Sequence, residues 1–265
     1  VLPFSPNKPF DKTFDKIYII MSKNIAKIGN QTSSNAEMFA KNWHIFQKII
    51  KNNHMRHKEM YNVLHQFILN YPDKLFSFLD LGCGDLSTII PCLIDSDIYS
   101  YTRVNLSYNI ENCPGKSAIF SWEKKLIIGN IKYVFRELIS STKNLKIDII
   151  FSFYTIHHLS ILDKQLINDI WQILNPNSCF ILIDIFREEG ETHDCYLAKY
   201  KQNIRKNWFT LTKDEIDITV THIKNCNFPE TENTIINQVK KTGFSKYEFI
   251  YQDQEHAGYL LVCYK

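Results

Sequence analysis

Apolar and polar positions follow two different periods along this chain. From Ala36 to Leu69 the apolar residues Phe39, Trp43, Phe46, Ile49 and Ile50, then Met60, Val63, Leu64 and Phe67, return every three or four positions, which is the spacing of two amphipathic helices. Asn70-Tyr71-Pro72-Asp73 ends that pattern, because proline disfavours helical geometry in the residue before it. Short runs rich in β-branched and aromatic residues follow at 75–81, 99–106, 125–129, 147–153, 179–185, 245–252 and 258–264, and predict seven strands. Helical patterns at 86–95, 131–141 and 162–174 alternate with the first five of them, the order that a mostly parallel, doubly wound sheet requires. The last two runs are separated by a few residues around Gln254-Glu255-His256-Ala257, room for a hairpin and hence for an antiparallel edge. Residues 186–244 carry little strand pattern; helices are expected near 194–209 and 212–226, with Tyr196, Tyr200, Ile204, Trp208 and Phe209 on one helical repeat.

The predicted class is therefore α/β, a Rossmann-like, doubly wound, mostly parallel seven-stranded sheet with a C-terminal antiparallel hairpin and helical lid elements. A length of 265 residues suits one such domain. Residues 1–35 are expected to be an N-terminal extension, with Met21-Ser22-Lys23 placed like a chain start, and 36–265 a single domain in which 36–70 supplies the first helices and 186–244 a substrate or lid segment. Hydrophobic residues make up 45% of the chain, yet no apolar run approaches the ~20 residues of a membrane helix. The net charge of +3 is spread among interspersed acids and bases, so there is no basic footprint for nucleic acid or an anionic membrane. Seven cysteines are scattered without a Cys-x-x-Cys pair, which argues for a reducing compartment and against a zinc site. Residues 1–20 lack the order of a secretory signal, and a cytoplasmic location is expected.

The chemistry concentrates at Phe78-Leu79-Asp80-Leu81-Gly82-Cys83-Gly84-Asp85, where an apolar strand runs into an acid and two glycines. Glycine at 82 and 84 lets the backbone take positive φ and approach a ligand closely. A helix begun at Leu86-Ser87-Thr88 would turn its first amides toward that ligand. An ordinary tight turn is the plain alternative.

Three segments together resemble the class I S-adenosylmethionine-dependent methyltransferases. Asp80-Leu81-Gly82-Cys83-Gly84 looks like that family's first motif, Asp148 to Leu159 like its fourth strand and following turn, and Leu174-Asn175-Pro176-Asn177-Ser178 through Asp184 like its turn into the fifth strand. The resemblance spans roughly residues 56–265. It implies S-adenosyl-L-methionine as cofactor, held by Asp80, Gly82, Cys83 and Gly84 at its amino-acid end. The ribose would meet Asn105, Leu106 and Ser107 after the second strand, the adenine Asn130 and Ile131 after the third, and Phe153 and Tyr154 would shape the pocket. Two positions where the family carries acids are amides here, Asn105 and Asn130, and Leu86 stands where its third glycine would be. These departures leave open a binding or scaffold protein that kept the fold without turnover.

Methyl transfer is an in-line displacement that depends chiefly on positioning. His157 and His158 follow the fourth strand, at the carboxyl-end crevice where ligands of open α/β sheets bind, and are the candidate bases; a capping or packing role is the plain alternative. Tyr154, His157, Arg187 and Trp208 are the candidate substrate contacts, Arg187 for a substrate carboxylate. No Asn/Asp-Pro-Pro-Tyr follows the fourth strand and no basic arm is present, so a small-molecule acceptor is expected, methylated on oxygen or nitrogen. A nicotinamide dehydrogenase is a rival reading, because Gly82-x-Gly84-x-x-Ser87 approximates the dinucleotide fingerprint. It requires an acid at the end of the second strand, where Asn105 stands.

Overall fold

A computed structural model describes residues 33–72, 75–105, 123–128, 131–141, 146–159, 165–253 and 258–265. The chain begins with α1 (Ser33–Lys51) and α2 (His57–Leu69), followed by β1 (Phe76–Leu81), a short α3 (Ile89–Leu93) and β2 (Ile98–Asn105). Next come β3 (Glu123–Ile128), α4 (Ile131–Ser141), β4 (Ile147–Phe153), a 3-10 turn at Ile156–His158, α5 (Gln165–Ile173) and β5 (Leu174–Asp184). Helices α6 (His193–Asn207), α7 (Lys213–Cys226) and α8 (Glu232–Thr242) then lead to the hairpin strands β6 (Lys246–Gln252) and β7 (Tyr259–Tyr264). All seven strands form one sheet in the order β3-β2-β1-β4-β5-β7-β6, parallel except for β7, which runs antiparallel to both of its neighbours.

β1 lies inside the sheet between β2 and β4, and all six of its residues are buried, as a strand covered on both faces must be. Side chains alternate across the strand. Leu79 and Leu81 join Val104, Ile150, Phe180 and Leu182 in a core under α4, α5 and α8, whereas Phe76 and Phe78 join Tyr101, Ile149, Phe151 and Ile181 under α2 and α3. A third cluster sits over the carboxyl edge of the sheet: Ile45 and Ile49 of α1, Tyr196, Leu197 and Ile204 of α6, and Trp208, Leu211 and Ile223 pack with Ile185. At the opposite edge Asp148 ties three strands together, accepting from Ser77 N and Oγ (both 2.8 Å) and from the Asn175 side chain.

Each of the three helices after β5 starts on threonine. Thr192 Oγ1 accepts from Cys195 N, Thr212 forms a capping box with Glu215, and Thr231 Oγ1 accepts from Thr234 N, each satisfying an amide the helix itself cannot. The third of these helices, α8, was not expected from sequence. α3 is also shorter than the 86–95 pattern predicts, because Pro91 lies within it and Leu86 has a φ of 64°. With only five residues and no side-chain cap on its first turn, it offers little of the helix dipole expected to face a ligand. β5 starts early, at Leu174, and its register jumps from Ile147↔Leu174 to Ile149↔Cys179 because Asn177 takes a φ of 61°.

The hairpin reaches the edge of the cap at Gly258. A Cβ there would lie 2.4 Å from Tyr154 Oη and 2.6 Å from Met60 Cε. Gly258→Ala is expected to lower stability by about 1–3 kcal/mol through overpacking, measured by denaturant unfolding; an unchanged midpoint would show that Tyr154 is free to move aside.

Candidate functional site at the carboxyl edge of the sheet

The loop after β1 is shaped by three positive-φ residues, Gly82 (79°), Gly84 (55°) and Leu86 (64°). Gly82 N and Cys83 N both donate to Val104 O of the neighbouring strand, at 2.9 and 3.4 Å. A Cβ on Gly82 would come within 2.2 Å of Thr155 Oγ1, a side chain fixed by its own bond to Phe153 O (2.9 Å). The glycine loop therefore packs directly on the turn after β4. Over Gly84 stands the Trp43 indole of α1, 3.5 Å from where a Cβ would be. The same indole donates to Asp85 Oδ2 (3.1 Å), as does Gln47 Nε2 (3.2 Å), while Ser87 N and Oγ donate to Oδ1. Burial alone would raise the Asp85 carboxyl; the bonds from Ser87, Gln47 and Trp43 outweigh it and hold the group below its usual range.

Asp80, near the end of β1, is 2% exposed and accepts from Tyr101 Oη at 2.7 Å. Burial pushes its carboxyl up to about 7, against the Tyr101 bond and the charge of Arg103. Asn105 closes β2, buried and in register with Ile128. Leu106, Ser107 and Asn130 lie outside the described residues. Ile131 opens α4 and is buried in the core beside Val134 and Phe135.

The wall opposite the loop is aromatic. Tyr61 of α2 stacks on Phe153, with centroids 4.6 Å apart and 11° between planes, and its hydroxyl accepts from Thr88 Oγ1. His57 sits 5.1 Å from Phe153 and 5.5 Å from Tyr154; burial pushes its pKa down to about 4, and its Nδ1 has no hydrogen-bond partner. Tyr154 has a φ of 45° and donates to Met55 O at 2.7 Å.

Beyond Tyr154 the 3-10 turn brings His157 and His158 under the cap. His157 is clamped by Asp184 from the end of β5: its backbone N donates to Oδ2 (3.0 Å) and its Nδ1 lies 2.5 Å from Oδ1. His158 Nδ1 pairs with Cys226 O (2.9 Å) and its ring faces His222 of α7. A small cavity opens beside this group, lined by His157, Asp184, Phe228, Glu230, Ile235 and Gln238 among others.

Several solved structures share this arrangement of strands and helices. The YcgJ protein of Bacillus subtilis has a TM-score of 0.53 at 11% identity, over 77% of this chain and 98% of that one. A SAM-dependent methyltransferase from Archaeoglobus fulgidus also has a TM-score of 0.53 at 11% identity, over 82% and 99% of the two chains. An O-methyltransferase family protein from Burkholderia thailandensis has a TM-score of 0.57 at 8% identity, over 95% of this chain and 69% of that one. The fold is that of the class I S-adenosylmethionine-dependent methyltransferases. No protein-family model and no curated protein matches the sequence.

On this methyltransferase fold the sequence-derived sites fall into two groups. Asp80, Gly82, Cys83, Gly84, Asn105, Phe153, Tyr154, His157 and His158 all stand at the carboxyl edge of the central strands. Arg187 and Trp208 stand in the frame around it. Arg187 donates through Nε to Pro229 O (2.7 Å) and through a terminal nitrogen to Glu191 O (2.5 Å), and its other terminal nitrogen is 3.9 Å from Glu230. Its fork is thus engaged by the protein itself, and it staples the segment after β5 to the one before α8. Trp208 is 4% exposed and stacks on His54 at 5.2 Å, a wall position. Asp184 and Asp85 were not singled out as site residues from sequence. Only Asp184 had a usable signal, an acid ending an otherwise apolar strand.

The buried acid at 80 has a measurable consequence for the stability of the fold. Its folded pKa is raised above the unfolded value, so its contribution to stability is full below about pH 4 and is lost as pH rises toward about 7, by at most ~1.4 kcal/mol per pH unit. His57 acts in the opposite sense: its pKa is lowered, so its contribution falls as pH drops from 6.5 toward 4. The stability difference between wild type and Asp80→Asn is expected to shrink steadily from pH 4 to pH 7 in denaturant titrations; a pH-independent difference would mean that Asp80 is ionised throughout.

Proposed function

We propose that this chain transfers the methyl group of S-adenosylmethionine to an oxygen or nitrogen of a small-molecule acceptor. The observation that carries the reading is the turn Gly82-Cys83-Gly84 at the end of β1, which takes positive φ at both glycines and packs against Thr155 and Trp43. The residues fit the cofactor. The glycines let the turn's backbone take positive φ and approach its neighbours closely, and the side chains around the turn include Asp80, Asp85 and the Asn105 amide. Those acceptors suit a ligand that presents an ammonium group and ribose hydroxyls. When bound, S-adenosylmethionine supplies a sulfonium methyl group that an acceptor lone pair displaces.

The protein's own part is placement and dryness. Phe153, Tyr154, Tyr61 and the cap helices exclude water from the edge of the sheet, which strengthens each polar contact made there. Tyr154 keeps its proton, because burial, with Tyr200 and Asp184 close by, raises its pKa well above the ordinary value; it serves as a hydrogen-bond donor and not as a base. His157 stands next to it and is the candidate to accept the acceptor's proton. A second reading, a binding protein with this fold and no turnover, is favoured by Asn105 at the ribose position, where one acceptor oxygen replaces two.

Calorimetric titration with S-adenosylhomocysteine, with a nicotinamide dinucleotide as control, tests the proposal. Binding of the first alone, abolished in Gly84→Val, is the expected result. Binding without methylation of any acceptor in a broad screen would support the second reading, and binding of neither compound would remove both.

A further inference from the structure

Three imidazoles meet under the cap. The His157 and His158 ring centroids are 4.0 Å apart and those of His158 and His222 are 5.3 Å apart, with the Phe46 ring of α1 edge-on to His222. Their partners differ. His158 has a backbone carbonyl, that of Cys226, on Nδ1. His157 has a carboxylate: Asp184 takes the ring nitrogen on Oδ1 and the backbone amide on Oδ2, and Ile185 N adds a third bond to Oδ1 at 2.9 Å. Both side chains are nearly sealed from solvent, 4% and 5% exposed. An ionised carboxylate only accepts, so His157 Nδ1 carries the hydrogen and Nε2 keeps the lone pair.

We propose that Asp184 is a positioning residue that fixes His157 with Nδ1 protonated and Nε2 as acceptor, and so makes His157, and not His158, the base of the site. This rests on the methyl-transfer reading above. His157 Nε2 takes the proton of the acceptor O–H or N–H while the acceptor's lone pair forms its bond to the methyl carbon. The electron pair of the broken carbon–sulfur bond stays on sulfur, and the positive charge that leaves the sulfonium reappears as an imidazolium against Asp184. That imidazolium later returns its proton to solvent.

His158 is unsuited to the same task. Burial, followed by the neighbouring His157 and His222, pushes its pKa well below the ordinary value, and burial pushes His222 down to about 4. The groups that face His157 are Asp184 from β5, His158 on its own turn, His222 from α7, Tyr154 at 6.4 Å from β4, and Glu230 across the cavity. Asp184, directly bonded to the ring, and Glu230, across the cavity, are the carboxylates in that set.

The test is long-range proton–nitrogen NMR of the full chain labelled with 15N-histidine, the signals being assigned with His157→Gln and His158→Gln. The expected result is a His157 ring in the Nδ1–H tautomer. In Asp184→Asn the ratio of Nδ1–H to Nε2–H at His157 is expected to drop about tenfold or more, because a charge-assisted bond becomes a neutral one. An Nε2–H tautomer in the wild type or an unchanged ratio in Asp184→Asn would each overturn the proposal. The wild-type spectrum decides the tautomer even if the variant misfolds. Lack of S-adenosylhomocysteine binding in the same sample would sink the methyl-transfer reading while leaving the tautomer result intact, so the two failures are separable.

Discussion

The contact between Gly82 and Thr155 sets the geometry of everything around it. The strand that ends there, β1, is hydrogen-bonded on both sides, and its first two loop amides are spent on a single carbonyl of β2. The backbone must therefore reverse at residue 82 with a φ of 79°, and no side chain fits on that α-carbon. Thr155 is in turn held by Phe153 O, so the loop after β1 and the turn after β4 fix each other's height. Asp184 then fixes the far side of that same turn by taking the His157 amide. Three parallel strands thus end at one level, joined by contacts of van der Waals or hydrogen-bond length, and such a rigid floor is what positioning catalysis needs.

Electrostatics beneath the cap follow from burial more than from charge. Lys48 of α1 pairs with Glu215 of α7, Arg56 pairs with Asp253, and Arg187 bonds two carbonyls. These pairings leave cations in the frame and not in the interior. The interior itself holds imidazoles and phenols, and desolvation shifts them toward their neutral forms: His57 and His222 down, Tyr154, Tyr196 and Tyr200 up. Buried ions are costly without a matched partner. Asp184 is matched by three hydrogen bonds, two of them from backbone amides.

Most of the fold was legible because its strands are buried on both faces. Runs such as Phe76–Leu81 and Ile147–Phe153 are mostly apolar, and they stand out without any knowledge of their partners. The antiparallel edge was legible from loop length alone. α8 was not, because its apolar face is only Ile235, Ile236 and Val239 in a stretch otherwise made of Asn, Gln, Lys and Thr; its strongest local signal is the Thr231 cap. Gly82, Gly84 and Asp80 could be placed because their position relative to the sheet is fixed by sequence. Arg187 and Trp208 could not, since their roles depend on which acceptors and rings lie nearby in space: Pro229 and Glu191 for one, His54 for the other. Asp85 shows the same limit, as its partner Trp43 is 42 residues away.

Tyr154 is where these constraints meet. A non-glycine residue at a φ of 45° is strained, and such strain persists where the surroundings over-determine the conformation. Here the backbone amide donates to Ile183 O at 2.8 Å, the hydroxyl donates to Met55 O between α1 and α2, and Gly258 of the hairpin leaves the ring room that any side chain would remove. One residue thereby ties β4, β5, the N-terminal helices and β7 at the point where the aromatic wall turns toward His157. Relaxing it toward ordinary φ would break the bond to β5 or the bond to Met55, so the sheet and the cap hold it jointly. The strained backbone is thus the means by which this fold presents an aromatic edge and, three residues later, a carboxylate-bound imidazole to the same space.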